Sequence, residues 1–136
     1  MNSPVTIDAS VFVSAFTPTE PAYQASKSFM LNVHESVPII VPMLVLAEIS
    51  AALSRGQGKP ELGKAFVQEL RNFPNTTFID INETVANLAV DIAADNRLRG
   101  SDAVYAAVAL RFGTELITLD KEQLDRLPKV LFVRAP

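Results

Sequence analysis

The sequence predicts an α/β fold: a three-layer α/β/α sandwich with helices covering both faces of a central, parallel, five-stranded sheet. Three observations predict it. Five short apolar runs alternate with longer segments of helical character, the pattern of strand–helix–strand units. The 136 residues, 49% of them hydrophobic, suffice to bury one core. No repeat, linker or low-complexity tract divides the chain, so a single domain over residues 1–136 is expected.

Val5 to Asp8 reads as the first strand, followed by a short helix from about Ser10 and a second from about Pro21 to Glu35. Pro38 to Val41 is the second strand, with a proline suited to its end. Met43 to Arg55 is helical and Gly56-Gln57-Gly58 ends it. Pro60 suits the first turn of the next helix, which runs to about Phe73. Thr76 to Asp80 is the third strand. From Glu83 to Leu98, the apolar residues Val85, Leu88, Ala89 and Ile92 recur at amphipathic-helix spacing, and Gly100 breaks the pattern. Ser101 then caps a helix ending at Phe112, with Gly113 in the C-terminal capping position. Leu116 to Leu119 and Val130 to Val133 are the last strands, separated by a short helix near Lys121 to Leu127.

Composition removes several classes of function. The longest apolar stretch, Val37 to Ala47, has two prolines and is too short to span a bilayer. The N-terminus lacks a basic segment followed by a long apolar one, so no secretory signal is read and a cytoplasmic location is the default expectation. The absence of cysteine excludes disulfides and thiolate metal sites. His34 is the only histidine, which argues against zinc sites and a Ser-His-Asp triad. No P-loop or GxGxxG pattern occurs. A net charge of −3 weakly opposes nucleic-acid binding, but two bound divalent cations would bring it to +1.

Four acidic residues stand out because each ends or interrupts an apolar element. Asp8 closes Val5-Thr6-Ile7, Glu48 interrupts the helix around Leu46, Asp102 opens the uncharged run Ala103 to Leu110, and Asp120 ends Leu116 to Leu119. Carboxylates near apolar surroundings require a compensating cation, and oxygen-only donors suit Mg²⁺ or Mn²⁺. Asp8 and Asp120 lie at C-terminal strand ends, where open parallel sheets bind ligands. Taken singly, the residues have plainer readings: Asp8 as a helix cap, Asp102 as a dipole partner, Asp120 as part of a surface turn. Glu48 has only apolar neighbours one turn away, Leu44, Val45, Ala51 and Ala52, so its alternative is a buried pair with Arg or Lys. Asp91 and Asp95 share a polar face with Thr84 and Asn87, and Glu122 and Asp125 read as ordinary surface charges. Tyr23 and Tyr105 read as packing residues.

In four segments the chain resembles the PIN-domain family, in particular small toxins of the VapC type. These are Ile7-Asp8-Ala9-Ser10, Leu46-Ala47-Glu48-Ile49, Ser101 to Ala109 and Ile117-Thr118-Leu119-Asp120. The resemblance spans nearly the whole chain in the expected order. It implies a PIN-like sandwich and a Mg²⁺- or Mn²⁺-dependent ribonuclease whose ligands are Asp8, Glu48, Asp102 and Asp120. Ser10 and Thr118 match small polar positions that orient a carboxylate or a ligand water. It also implies a homodimer and a cognate antitoxin. Glu122 and Asp125 do not match the further acidic position of some members. Arg97 and Arg99, just before Asp102, are candidate contacts to RNA phosphates, with solvated surface positions as the alternative reading.

The leading expectation is a toxin endoribonuclease that hydrolyses RNA phosphodiester bonds. The alternatives are a housekeeping RNA-processing nuclease without antitoxin and a catalytically silent binding module. Between Met43 and Phe73 the helices carry Leu46, Ile49, Leu53, Leu62, Phe66, Val67, Leu70 and Phe73. These residues either cover the sheet or leave a surface for a second copy and an antitoxin helix.

Overall fold

The computed structural model describes residues 3–33 and 36–136. His34 and the end of the second predicted helix at Glu35 lie outside the described residues. In chain order the elements are β1 (Val5–Ile7), α1 (Ala9–Ala15), α2 (Tyr23–Val33), β2 (Ile39–Pro42), α3 (Leu44–Gln57) and α4 (Pro60–Arg71). They continue with β3 (Thr76–Ile79), α5 (Glu83–Asn96), α6 (Gly100–Phe112), β4 (Glu115–Ile117), α7 (Lys121–Arg126) and β5 (Val133–Arg134).

The five strands form one sheet in the order β3-β2-β1-β4-β5, with every neighbouring pair parallel. The expected α/β/α sandwich is the architecture observed. Strand β1 is central and buried throughout, as a strand covered on both faces must be. From β1 the chain moves outward to β2 and β3, then returns past β1 to β4 and β5. Right-handed crossovers therefore put α1–α4 on one face and α5–α7 on the other. The packing agrees: α1 meets α2 and α3, α3 meets α4, and α5 meets α6, while α6 lies across β1, β2 and β4. The reversal of strand order falls between β1 and β4, so their C-terminal ends open the crevice at the sheet edge.

The core runs from Ile7, Ile39, Val41, Leu116 and Ile117 of the sheet to Phe12, Ile49, Leu70, Val85 and Tyr105 of the helices. Helix α6 is apolar nearly all round, with Ala103 and Tyr105 to Ala109 fully buried, which is what a helix in the middle of a layer requires. Of the apolar residues between Met43 and Phe73, Leu46, Ile49, Leu53, Phe66 and Leu70 are buried in this core. Leu62 stays exposed, and Val67 and Phe73 are half-buried.

Several boundaries differ from expectation, among them β4, which is Glu115–Ile117 and ends two residues before Leu119. Ser101 does not cap α6: the N-cap is Arg99, without a side-chain cap bond, and Gly100 opens the helix it was expected to interrupt. The preceding helix instead stops because Arg97 takes a left-handed conformation at φ 52°. The last strand is Val133–Arg134, later and shorter than Val130 to Val133, because backbone bonds from Val130 and Leu131 to Leu127 extend the turn after α7.

Helices α3 and α4 approach each other closely at Gly63. A Cβ there would meet the Ser50 carbonyl oxygen at 2.6 Å and the Ser54 hydroxyl at 2.5 Å. Gly56, also helical, has nothing within 4 Å of its Cβ position. The same substitution should therefore have opposite signs at the two sites. Gly56→Ala gains helix propensity, up to about 1 kcal/mol, whereas Gly63→Ala forces the helices apart at a net cost of about 1–2 kcal/mol. Urea denaturation of both variants measures the pair; equal effects would contradict this packing.

Candidate active site

Asp8 follows β1 directly and is the N-cap of α1, its Oδ2 accepting the Ser10 backbone N–H at 2.9 Å. Asp120 follows β4 and caps α7 in the same way, its Oδ1 accepting the Gln123 N–H at 2.9 Å. The two aspartates flank the point where strand order reverses. Asp102 lies in the first turn of α6, and Glu48 in the second turn of α3. All four acids meet electrostatically at this sheet edge. Asp8 feels the charge of Asp120, Asp102 feels Asp120 and Asp8, and Glu48 feels Asp8 and Asp102.

Burial dominates their chemistry. Asp8 and Asp102 are each 6% exposed and Glu48 is half-buried. Desolvation pushes the Asp8 carboxyl up, against opposing hydrogen bonds from Ser10. Desolvation, then the neighbouring acids, likewise raises Glu48 and Asp102, with Tyr105 and Arg99 acting in the opposite direction. Tyr105 is wholly buried behind Glu48 and Asp8, and burial followed by those two charges drives its phenol far above the ordinary range. Its hydroxyl faces Glu48 as a donor, which favours the charged carboxylate against burial.

The supporting hydroxyls hold the loop between β4 and α7. Ser10 Oγ accepts the Leu119 N–H at 3.1 Å, tying the end of β4 to α1. Thr118 Oγ1 accepts the Asp120 N–H at 3.0 Å and donates to Gln123 Oε1. Gln123, fully buried, also donates from Nε2 to the Asp102 backbone oxygen at 3.3 Å. This residue braces two acidic positions at once, and sequence reasoning missed it. No local pattern marks it, because one amide in a short charged helix looks like surface.

The two arginines separate. Arg99 enters the site, its Nε donating to Asp102 Oδ2 at 3.0 Å and its Nη2 to Asp120 Oδ2 at 3.1 Å. Arg97 caps α5, and its backbone oxygen accepts from Arg126. Among the described residues, no three acidic or histidine side chains stand as placed to hold one ion together. The donor set nevertheless fits a hard divalent cation: it offers oxygen only, and its carboxyls are desolvated and mutually repelling, a condition that a cation relieves.

The family model for the PIN domain matches residues 5–130. The chain belongs to the PIN-domain family. Solved structures agree in fold at low identity. Mycobacterium tuberculosis VapC20, a sarcin–ricin loop cleaving toxin, superposes with a TM-score of 0.77 at 15% identity, over 97% of this chain and 99% of that one. FitAcB from Neisseria gonorrhoeae gives a TM-score of 0.74 at 14% identity, over 95% of each chain. DNA-bound VapBC from Salmonella typhimurium gives 0.69 at 18% identity, over 99% of this chain and 98% of that one. Among curated proteins none matches the sequence significantly. No described helix of this PIN domain is long and apolar enough to cross a membrane.

Proposed function

We propose that the chain, as a single PIN domain, is a divalent-metal-dependent endoribonuclease of the VapC type, the toxin of a type II toxin–antitoxin pair. The observation that carries this reading is the meeting of Asp8, Glu48, Asp102 and Asp120 at the strand-order reversal, with three of them desolvated. These four would hold Mg²⁺ or Mn²⁺. A bound divalent cation supplies an activated water and offsets charge developing on the phosphate. Ser10, Thr118 and Gln123 keep Asp120 and the backbone of Asp102 in register, Tyr105 lends a donor beside Glu48, and Arg99 offers an exposed guanidinium to a phosphate.

An antitoxin is the partner this reading requires. An apolar hollow of about 460 Å³, lined by Phe16, Tyr23, Met30, Leu31 and Phe73 among others, suits one face of an amphipathic helix. A symmetric contact between two copies belongs to the same reading. A monomer in light scattering at tens of micromolar would remove the dimer. If the protein encoded beside this gene neither co-purifies nor suppresses cleavage, the housekeeping nuclease replaces the toxin.

The primary test is incubation of purified protein with total RNA. Cleavage is expected in Mg²⁺ or Mn²⁺, and none in excess EDTA. Cleavage that survives EDTA would sink the metal reading, and no cleavage with either metal would favour a silent binding module.

A further inference from the structure

The Arg99 guanidinium spans two carboxylates carried by different elements, one oxygen of Asp102 on α6 and one of Asp120 ahead of α7. Its side chain is 69% exposed, whereas those of Asp102 and Asp120 are 8% and 20% exposed. The cation therefore reaches in from solvent, and little protein packs around it to keep it there. The other oxygen of Asp120 already caps α7, so a metal ion there would need the oxygen that Arg99 occupies, and a metal ion on Asp102 would share that carboxylate with the guanidinium. Two cations on the same oxygens repel strongly where water is partly excluded.

We infer that Arg99 is a resident counter-ion that competes with the divalent cation for Asp102 and Asp120, and that it must swing off both before the site can load. This inference rests on the metal-dependent reading above. It accounts for one guanidinium joining two acids carried by different elements. It also gives the arginine a second position. Once released, a planar, exposed guanidinium stands at the mouth of the site, where the phosphate of an RNA strand enters.

Isothermal titration of Mn²⁺ into wild type, Arg99→Gln and Arg97→Gln tests the inference. Removing a solvent-facing ion pair should tighten Mn²⁺ binding by about three- to tenfold in Arg99→Gln. Arg97→Gln removes the same charge nearby but no contact with the acids, so its Kd should change by less than about twofold. Raising the salt screens the arginine pair and should narrow the gap between wild type and Arg99→Gln. Equal Kd values for wild type and Arg99→Gln would overturn the competition while leaving the metal site intact. Equal tightening in both variants would also overturn it, in favour of a general charge effect. Absence of Mn²⁺ binding in all three proteins would instead overturn the metal-dependent reading, and this inference with it.

Discussion

Asparagine in place of Asp8 or of Asp102 is expected to lower RNA cleavage by at least about a hundredfold, since loss of mere supporting partners of a metal ligand already costs about 10- to 100-fold. The fold should survive both changes. In Asp8→Asn the amide oxygen can still accept the Ser10 N–H that the carboxylate now takes, so the start of α1 stays capped. In the metal-free protein the variants should be as stable as wild type or more so, because burial and neighbouring acids penalise the charge that each replacement deletes. Asp8→Ala should behave differently, losing activity and also about 1 kcal/mol of cap stability. RNA cleavage assays beside thermal melts separate the outcomes. Undiminished cleavage by both asparagine variants in Mg²⁺ would remove these residues from the site.

A large shift is also expected from the ligand itself. At a hundredfold excess over Kd, Mn²⁺ should stabilise the protein by about 2.7 kcal/mol, which for this size raises Tm on the order of 10 °C. Without metal, the sign of the pH dependence is the reverse of that for an ordinary paired carboxylate. Asp8, Glu48 and Asp102 titrate higher folded than unfolded, so the native state binds more protons between those two limits. Their contribution is fully present below the unfolded values and is lost as pH rises through the raised ones. Metal-free protein should therefore lose stability from about pH 4 upward through the weakly acidic range, and saturating Mn²⁺ should abolish that loss. A melting temperature indifferent to divalent cations at neutral pH would count heavily against the site.

What is readable in the sequence follows the physics of each element. Strand β1 and its aspartate are legible because a short apolar run ended by a charge has few other interpretations. Glu48 is legible because its helical neighbours are apolar, and it is half-buried among acids. Gly113 is the expected left-handed cap, at φ 66°. The start of α6 is not legible, because glycine suggests a breaker while the turn is made by Arg97, a residue type that rarely takes φ 52°. Tyr105 packs in the core as expected, but its position behind Glu48 and Asp8 depends on α6 crossing the sheet, which no local window encodes. Gln123 and the bridging role of Arg99 are invisible for the same reason: their partners come from tertiary structure, across 21 residues of chain in the pairings Gln123–Asp102 and Arg99–Asp120.

Asp8 and Asp120 each spend one carboxylate oxygen on a helix start, Oδ2 for Ser10 and Oδ1 for Gln123, and keep the other for the site. The consequence concerns drift. If the proposed activity holds, a descendant of this chain that lost it would be released from the charge at these positions but not from the cap. Its residues 8 and 120 should wander among Asp, Asn, Ser and Thr, while Glu48, which caps nothing, should accept any residue that its half-buried place on α3 admits. A library scored for folding alone would show that difference, and free tolerance of alanine at both aspartates would refute it.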